Sequence, residues 1–569
     1  MKKKLIEFKN FGFKYDSQQN YTLKNINLDI YEGEKVLILG ESGCGKSTLC
    51  NSINGLVPFF YSGIIEGSLK INGKNTKNMS IFEISKIVGT VLQDPDNQFI
   101  ALTSAEDIAF KLENLCVNKE TMYKKVLEVS KLIGMDNFLN SNPHNLSGGQ
   151  KQKVTLGGAI VDEIDILLFD EPLASLDPKT SENTIELINT ITHKTNKTII
   201  IIEHRLEEIL KLNLDKIVLL SDGEIIFSGA PNDLLKSDLL KKCGIREPLY
   251  LTALKYAGIE ISKDLDLENL NNIDKNLIQP SLNKFYNSLN YECEDKLNKT
   301  PIFECKNITF SYNNSKKILE DVSFKVFENE LLCIVGKNGA GKSTISKLMC
   351  GFMKNNSGSF IFNGKDITNY TIYQRSNIIG YVMQNPNQMI SHTIVFDEIS
   401  FALKNLNLNS NEIKEKVNEI LKICDLYEMR NWPISALSFG QKRRVTIASI
   451  LVMNPKILIL DEPTAAQDFK HYTQIMEFIK SLTNHGITSI MITHDMHLLL
   501  EYADRCIVIS DGKKIGDDIP SKILSNEKII KKANLKQTSL HELSIRCNIN
   551  PTEDFINKFI TYDRSIRNK

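Results

Sequence analysis

The segment "GESGCGKST" at 40–48 places a lysine and a serine behind a run of glycines, and "GKNGAGKST" at 336–344 repeats the arrangement. Glycines there let successive backbone N–H groups point at one anion, and a helix beginning at the lysine adds its positive dipole end. Both segments fit G-x-x-x-x-G-K-S directly after an apolar strand and before a helix, the pattern of a phosphate-binding P-loop. Gly40, Glu41, Ser42, Gly43, Cys44, Gly45, Lys46, Ser47 and Thr48 are therefore candidates to line the phosphates of a nucleotide such as ATP. Gly336, Lys337, Asn338, Gly339, Ala340, Gly341, Lys342, Ser343 and Thr344 are their counterparts. Lys46 and Lys342 would reach the β- and γ-phosphates, and Ser47 and Ser343 would ligate Mg²⁺.

Phosphate transfer also needs an acidic residue at the end of a buried strand, and "ILLFDEP" (166–172) and "LILDEP" (458–463) each supply two carboxylates in succession. Asp170 and Asp461 are candidate metal carboxylates, and Glu171 and Glu462 candidate general bases for an attacking water. A lone Asp-Glu pair at a strand end is more often a solvated turn; behind a matched P-loop the chemical reading prevails. His204 and His494 close the next apolar strand at matching positions, where an imidazole could hold the γ-phosphate and the water in line. Isolated strand-end histidines are mostly structural, but the repetition favours function; His193, His485 and His497 have no counterpart. Gln93 and Gln384 open "QDP" and "QNP" loops, from which an amide can reach Mg²⁺ or water.

Sliding the chain by roughly 290–297 residues superimposes these segments, so the architecture is a duplication. A shortening of the offset after the first pair locates five extra residues in the first half, near "VPFFYSGIIEG" (57–67). The runs "KVLILG" and "DILLFDE" are apolar without alternation, as in strands covered on both faces of a mainly parallel sheet. Helical stretches such as "AEDIAFKLENL" lie between them. The expected organisation is two α/β domains, 1–245 and 301–526, a partly helical linker at 246–300, and a C-terminal tail at 527–569 about which the sequence says little.

At 569 residues, 42% hydrophobic and 24% charged with no net charge, the chain has an ordinary globular composition and no strong pull toward nucleic acid. Its eleven cysteines form no C-x-x-C pair, which argues against a zinc ribbon, an iron–sulfur cluster or a secreted disulfide framework. "MKKKLIEFKNFGFKYD" lacks the apolar stretch of a signal peptide, and no run approaches the ~18 apolar residues of a membrane span. Any membrane crossing is expected to fall to another chain.

With "LSGGQ" and "LSFGQ" 23 residues before each metal aspartate, the constellation resembles the ATP-binding cassette (ABC) ATPases over both halves. That resemblance implies two tandem P-loop NTPase domains, each with a helical subdomain, closing head to tail within one chain and not as an obligatory homodimer. Ser147, Gly148, Gly149 and Gln150 would then cap the ATP on Lys342, and Ser438, Phe439, Gly440 and Gln441 the ATP on Lys46. Asp177 and Asp468, seven residues after the metal aspartates, would likewise reach across, and Tyr15 and Tyr312 would stack on adenine.

Within the family, "QDPDNQFIALTSAEDIAFKLENL" and "GIREPLYLTALKYAG" look most like the ATPase subunits of energy-coupling-factor (ECF) importers. The resemblance implies a transmembrane T component and a substrate-binding S component as partners, and a peripheral place on the cytoplasmic face of the cell membrane. The cargo would be a vitamin, a vitamin precursor or a transition-metal ion. A fused sugar-importer ATPase and a soluble twin-cassette translation factor on ribosomes are the alternatives; the weakly charged, Asn-rich linker disfavours the second.

Two local expectations remain. Phe439 stands where the first half has Gly148; at positive φ it would cost roughly 1–2 kcal/mol, so an ordinary backbone with the ring turned from the nucleotide is expected. Together with Ala466 and Gln467 it makes the Lys46 site the atypical one, active but turning over differently. Cys44, beside Lys46 at a helix N-terminus, is in a setting that lowers a thiol pKa, although a small residue at a permissive position is the plainer reading.

Overall fold

The computed structural model describes residues 2–174, 176–261, 265–289, 300–312, 317–406, 408–465 and 467–567; Ala466 and parts of the linker lie outside them. Two compact units are present: Met1–Leu282 with Asp468–Lys470, and Asn283–Gln467 with His471–Lys569.

Each unit is built on a six-stranded sheet of the same order. In the first it runs Glu224–Gly229, Lys216–Ser221, Lys35–Gly40, Thr198–Ile202, Ile166–Asp170, Val88–Val91, parallel except for the outermost hairpin. In the second it runs Lys513–Asp518, Arg505–Ser510, Leu331–Val335, Thr488–Ile492, Ile457–Asp461, Ile379–Val382. The central strands have every residue, or all but the last, buried, which explains the unalternating apolar runs. Each fully buried Ile or Leu contributes roughly 1.5–3 kcal/mol. Strand ends carrying chemistry are thereby fixed side by side: Gly40, Asp170 and Ile202 finish neighbouring parallel strands at the carboxyl edge, where ligands of open α/β sheets bind.

A four-stranded antiparallel sheet covers one side of each unit, Leu23–Tyr31, Lys4–Tyr15, Gly63–Ile71, Lys74–Asn75 in the first. Its Phe8, Phe11 and Phe13 pack in one core with Leu49 and Ile53 of the helix Lys46–Ile53. A helical subdomain, Ser104–Asn114, Lys119–Leu132 and Gly148–Ile160, carries the signature segment; Val395–Lys404, Ser410–Ile423 and Phe439–Leu451 repeat it.

The segment after 526 is folded. Glu527–Ala533, Ser539–Arg546 and Thr552–Arg567 are helices, with Leu540, Leu543, Phe555 and Phe559 fully buried. Arg564 donates to Glu501 O at 3.1 Å and pairs with Glu477 at 3.2 Å, and Tyr286 Oη donates to Asp554 at 2.7 Å.

Candidate active sites

Each P-loop turns through glycines that no other residue could replace cheaply. Gly45 (φ 105°) and Gly341 (φ 101°) are left-handed, and a Cβ would lie 2.9 Å from Thr22 O in one and 2.6 Å from Leu319 Cδ2 in the other. Helices start immediately after, at Lys46 and Lys342. Lys46 Nζ donates to Gly40 O (2.9 Å) and Glu41 O (2.7 Å), and Lys342 Nζ to Gly336 O (2.8 Å) and Lys337 O (2.9 Å), so each ammonium is held inside its own loop. Asp468, which belongs to the first unit, accepts from the Ser42 N–H at 2.6 Å.

At the carboxyl edge Glu171 receives two partners. His204 Nε2 lies 2.8 Å from its Oε1, and Gln93 Nε2 donates to its Oε2 at 2.7 Å. Glu462 has the same pair: His494 Nε2 at 2.7 Å and Gln384 Nε2 at 2.6 Å. Three segments far apart in sequence thus meet on one carboxylate in each half. Both glutamates adopt φ 46°, a left-handed backbone rare for this residue type and worth a cost only where the surroundings enforce it.

Asp170 and Asp461 sit one residue earlier, half-buried. Burial, then the neighbouring Glu171 charge, pushes the Asp170 carboxyl up to about 6; burial raises Asp461 too, against hydrogen bonds from Tyr381 (2.8 Å) and Ser343. Hydroxyl, carboxylate and amide oxygens are the hard donors Mg²⁺ prefers, and a buried anion held this reluctantly fits a cation.

The raised pKa has a stability sign. Folded protein holds the Asp170 proton to about pH 6 while the unfolded chain releases it near 3.8, so this contribution is complete below about pH 4 and lost as pH rises through 6. Asp170→Asn is therefore expected to stabilise the nucleotide-free protein at about pH 8, by at most about 3 kcal/mol, with the gain vanishing at about pH 4. A lower melting temperature than the parent at pH 8 would contradict it.

The signature segments are helix caps. Ser147 and Gln150 form a reciprocal capping box on Gly148–Ile160, with Ser147 N–H donating to Gln150 Oε1 at 2.9 Å, and Ser438 and Gln441 do the same for Phe439–Leu451. Gly148 and Phe439 are both first helical residues without positive φ, and among the described residues a Cβ on Gly148 would meet Leu176 Cδ2 at 3.8 Å, an ordinary contact. The phenylalanine takes an ordinary helical backbone; the residue is exposed, and its ring lies 5.7 Å from the Arg443 guanidinium.

Other positions depart from expectation or divide the halves. Cys44 is buried, and desolvation pushes its thiol up, outweighing Lys46 and the backbone N–H groups; the activated-thiol reading is corrected. Tyr15 Oη bonds Thr48 Oγ1 at 2.9 Å, with Tyr61 edge-on at 6.0 Å, whereas Tyr312 is exposed and packs edge-on to Phe310. Asp177 caps the helix Pro178–Thr195 by accepting from Thr180 N–H at 2.9 Å.

Sequence reasoning missed Arg443, wholly buried, whose guanidinium donates to Met383 O at 2.7 Å and to Gln384 O. It fastens the loop that carries Gln384. The matching Gln152 instead donates to Pro172 O. An arginine one position past "GQK" beside an apolar run was the available signal.

A duplicated P-loop, a carboxylate pair and a strand-end histidine on one sheet edge define a P-loop nucleotide hydrolase with two sites in one chain. A family profile described as ABC transporter matches residues 23–174 and 319–465, and one described as ATP-binding cassette cobalt transporter matches 237–310. A protein of Clostridium perfringens named as an ABC transporter ATP-binding protein is 56% identical over 567 residues, covering 100% of both chains. One of the same name from Enterococcus faecalis is 48% identical over 568 residues, again covering 100% of both. The solved structure of cbiO1 from Clostridium perfringens, described as part of the ABC transporter complex cbiONQ, is 33% identical, covering 41% of this chain and 94% of its own, with a TM-score of 0.38. The chain belongs to the ABC transporter ATP-binding protein family: it binds ATP and is an ATPase coupled to transport.

Proposed function

We propose that the chain is the energy-coupling subunit of an ECF-type importer, hydrolysing ATP at two sites. The observation that carries the hydrolytic reading is the carboxylate of Glu171, and again of Glu462, held by one histidine and one glutamine. Glu171 polarises the water that attacks the γ-phosphate, and His204 orients that water; Glu462 and His494 act likewise. Lys46 and Lys342 leave their loop carbonyls for the β- and γ-phosphates. Ser47, Gln93 and Asp170 would hold Mg²⁺ in one site and Ser343, Gln384 and Asp461 in the other. Bound Mg²⁺ would neutralise charge building on the phosphate oxygens.

Each signature serves the ATP of the other cassette. The N-terminal ends of the helices starting at Gly148 and Phe439 offer first-turn N–H groups and a dipole suited to capping a γ-phosphate. Fusion of the two halves favours this pairing by raising effective concentration. ATP-driven closure and hydrolysis-driven release would then move a transmembrane T component, while an S component binds the cargo.

The match of 237–310 to a profile described as a cobalt transporter, together with the "DPDNQ" loop, supports an ECF-type assembly carrying a transition-metal ion, a vitamin or its precursor. Among the described residues no helix is long and apolar enough to cross a membrane, which fits peripheral attachment through partners at the cytoplasmic face. Purification of the tagged full chain from detergent-treated membranes is expected to bring down small hydrophobic membrane proteins in fixed proportion. Ribosomal proteins in their place would refute the importer reading.

A further inference from the structure

Glu203 follows the apolar strand Thr198–Ile202 and is 2% exposed. Its carboxylate accepts two backbone N–H bonds: from Leu173, two residues past Glu171, at 3.1 Å, and from His204 at 3.0 Å. Burial raises its pKa, the Glu171 charge adds to that, and Arg205 and His204 oppose it. A carboxylate so enclosed is costly unless it is hydrogen-bonded, and here two backbone N–H groups meet it. What they join is the turn carrying Glu171, strained at φ 46°, and the segment carrying His204. The second half lacks this brace. Thr493 occupies the matching position, its Oγ1 accepts from Asp495 N–H at 3.1 Å, and among the described residues no hydrogen bond joins it to the turn after Glu462.

We propose that Glu203 is a positioning residue for hydrolysis at the Lys46 site: it fastens the Glu171 turn to His204 and so sets the geometry between base and imidazole. The inference rests on the roles given above to Glu171 and His204. Both N–H donors need an acceptor oxygen, and a glutamine offers one. Glu203→Gln keeps the shape and loses one bond; Glu203→Thr installs the residue that the second half already accommodates at this position.

The test is vanadate trapping in the full-length chain, with an azido-ATP photolabel assigned to the first or second half by mass spectrometry of the labelled peptides. Either variant is expected to lower trapping in the first half at least about tenfold relative to the second, with labelling in the cold without vanadate unchanged. Equal loss in both halves, loss of the cold labelling, or no loss in either variant would overturn the proposal. Glu171→Gln in parallel separates the two readings: if it leaves first-half trapping intact, the base assignment has failed, whatever Glu203 does.

Discussion

Glu171→Gln combined with Glu462→Gln is expected to slow ATP turnover by roughly 10²–10⁴-fold, the loss typical of removing a positioned general base. An amide is nearly isosteric with the carboxylate, so His204 and Gln93 in one half, and His494 and Gln384 in the other, keep a partner of the right size. What disappears is the negative charge that makes water a nucleophile. On the proposed roles, ATP binding would rest on the P-loops and signatures, which these substitutions do not touch. Steady-state phosphate release, with ATP affinity measured alongside, checks the expectation. Hydrolysis unchanged in the double variant would remove both glutamates from the chemistry.

Arg443→Met is expected to be costly in the second half, destabilising by about 3 kcal/mol. The side chain has no exposure, and its two terminal nitrogens satisfy the carbonyls of Met383 and Gln384. Desolvation lowers its pKa to about 10, partly offset by Asp461, so the charge persists at neutral pH and the bonds are charge-assisted. Methionine fills the volume but leaves both buried carbonyls unpaired, and Gln384 loses the support under its backbone. Gln152→Met removes the amide's bond to Pro172 O and a long one from Thr184 Oγ1 at 3.4 Å, so about 1 kcal/mol is expected there. Urea denaturation of the full chain compares the two variants. A loss for Arg443→Met within about 0.5 kcal/mol of zero would contradict the brace.

What the sequence made legible was chemistry written in short fixed spacings and then written twice. Lys46 with Ser47, Asp170 with Glu171, and His204 at a strand end are local patterns, and duplication separated them from chance. The buried parallel strands were readable for a similar reason, since a strand covered on both faces cannot alternate. Braces made between distant segments were not legible. Arg443 with Met383, Glu203 with Leu173 and Tyr381 with Asp461 each need the folded sheet to bring their partners together. The capping boxes were within reach, because S-x-x-Q before a helix is a recognised start signal, but the signature motif was read only as a ligand loop. Cys44 shows the converse error: proximity to a lysine and a helix start was visible, and the burial that outweighs both was not.

The halves differ less where Phe439 pointed than in what surrounds the carboxylates. Phe439 takes the same helical start as Gly148. In contrast, Asp461 is bonded by Tyr381 where the first half has Thr90, and Glu203 stands opposite Thr493. These substitutions act on groups in each cassette's own site, so a difference in turnover between the two sites is expected to arise in the carboxylate surroundings.

Two complete hydrolytic sets in one chain require two nucleotides bound at once, which stoichiometry measures. The full-length Glu171→Gln, Glu462→Gln protein, incubated with Mg²⁺ and radiolabelled ATP and passed rapidly through a desalting column, should retain two nucleotides per chain, both still ATP. One nucleotide per chain, or recovery as ADP, would contradict it.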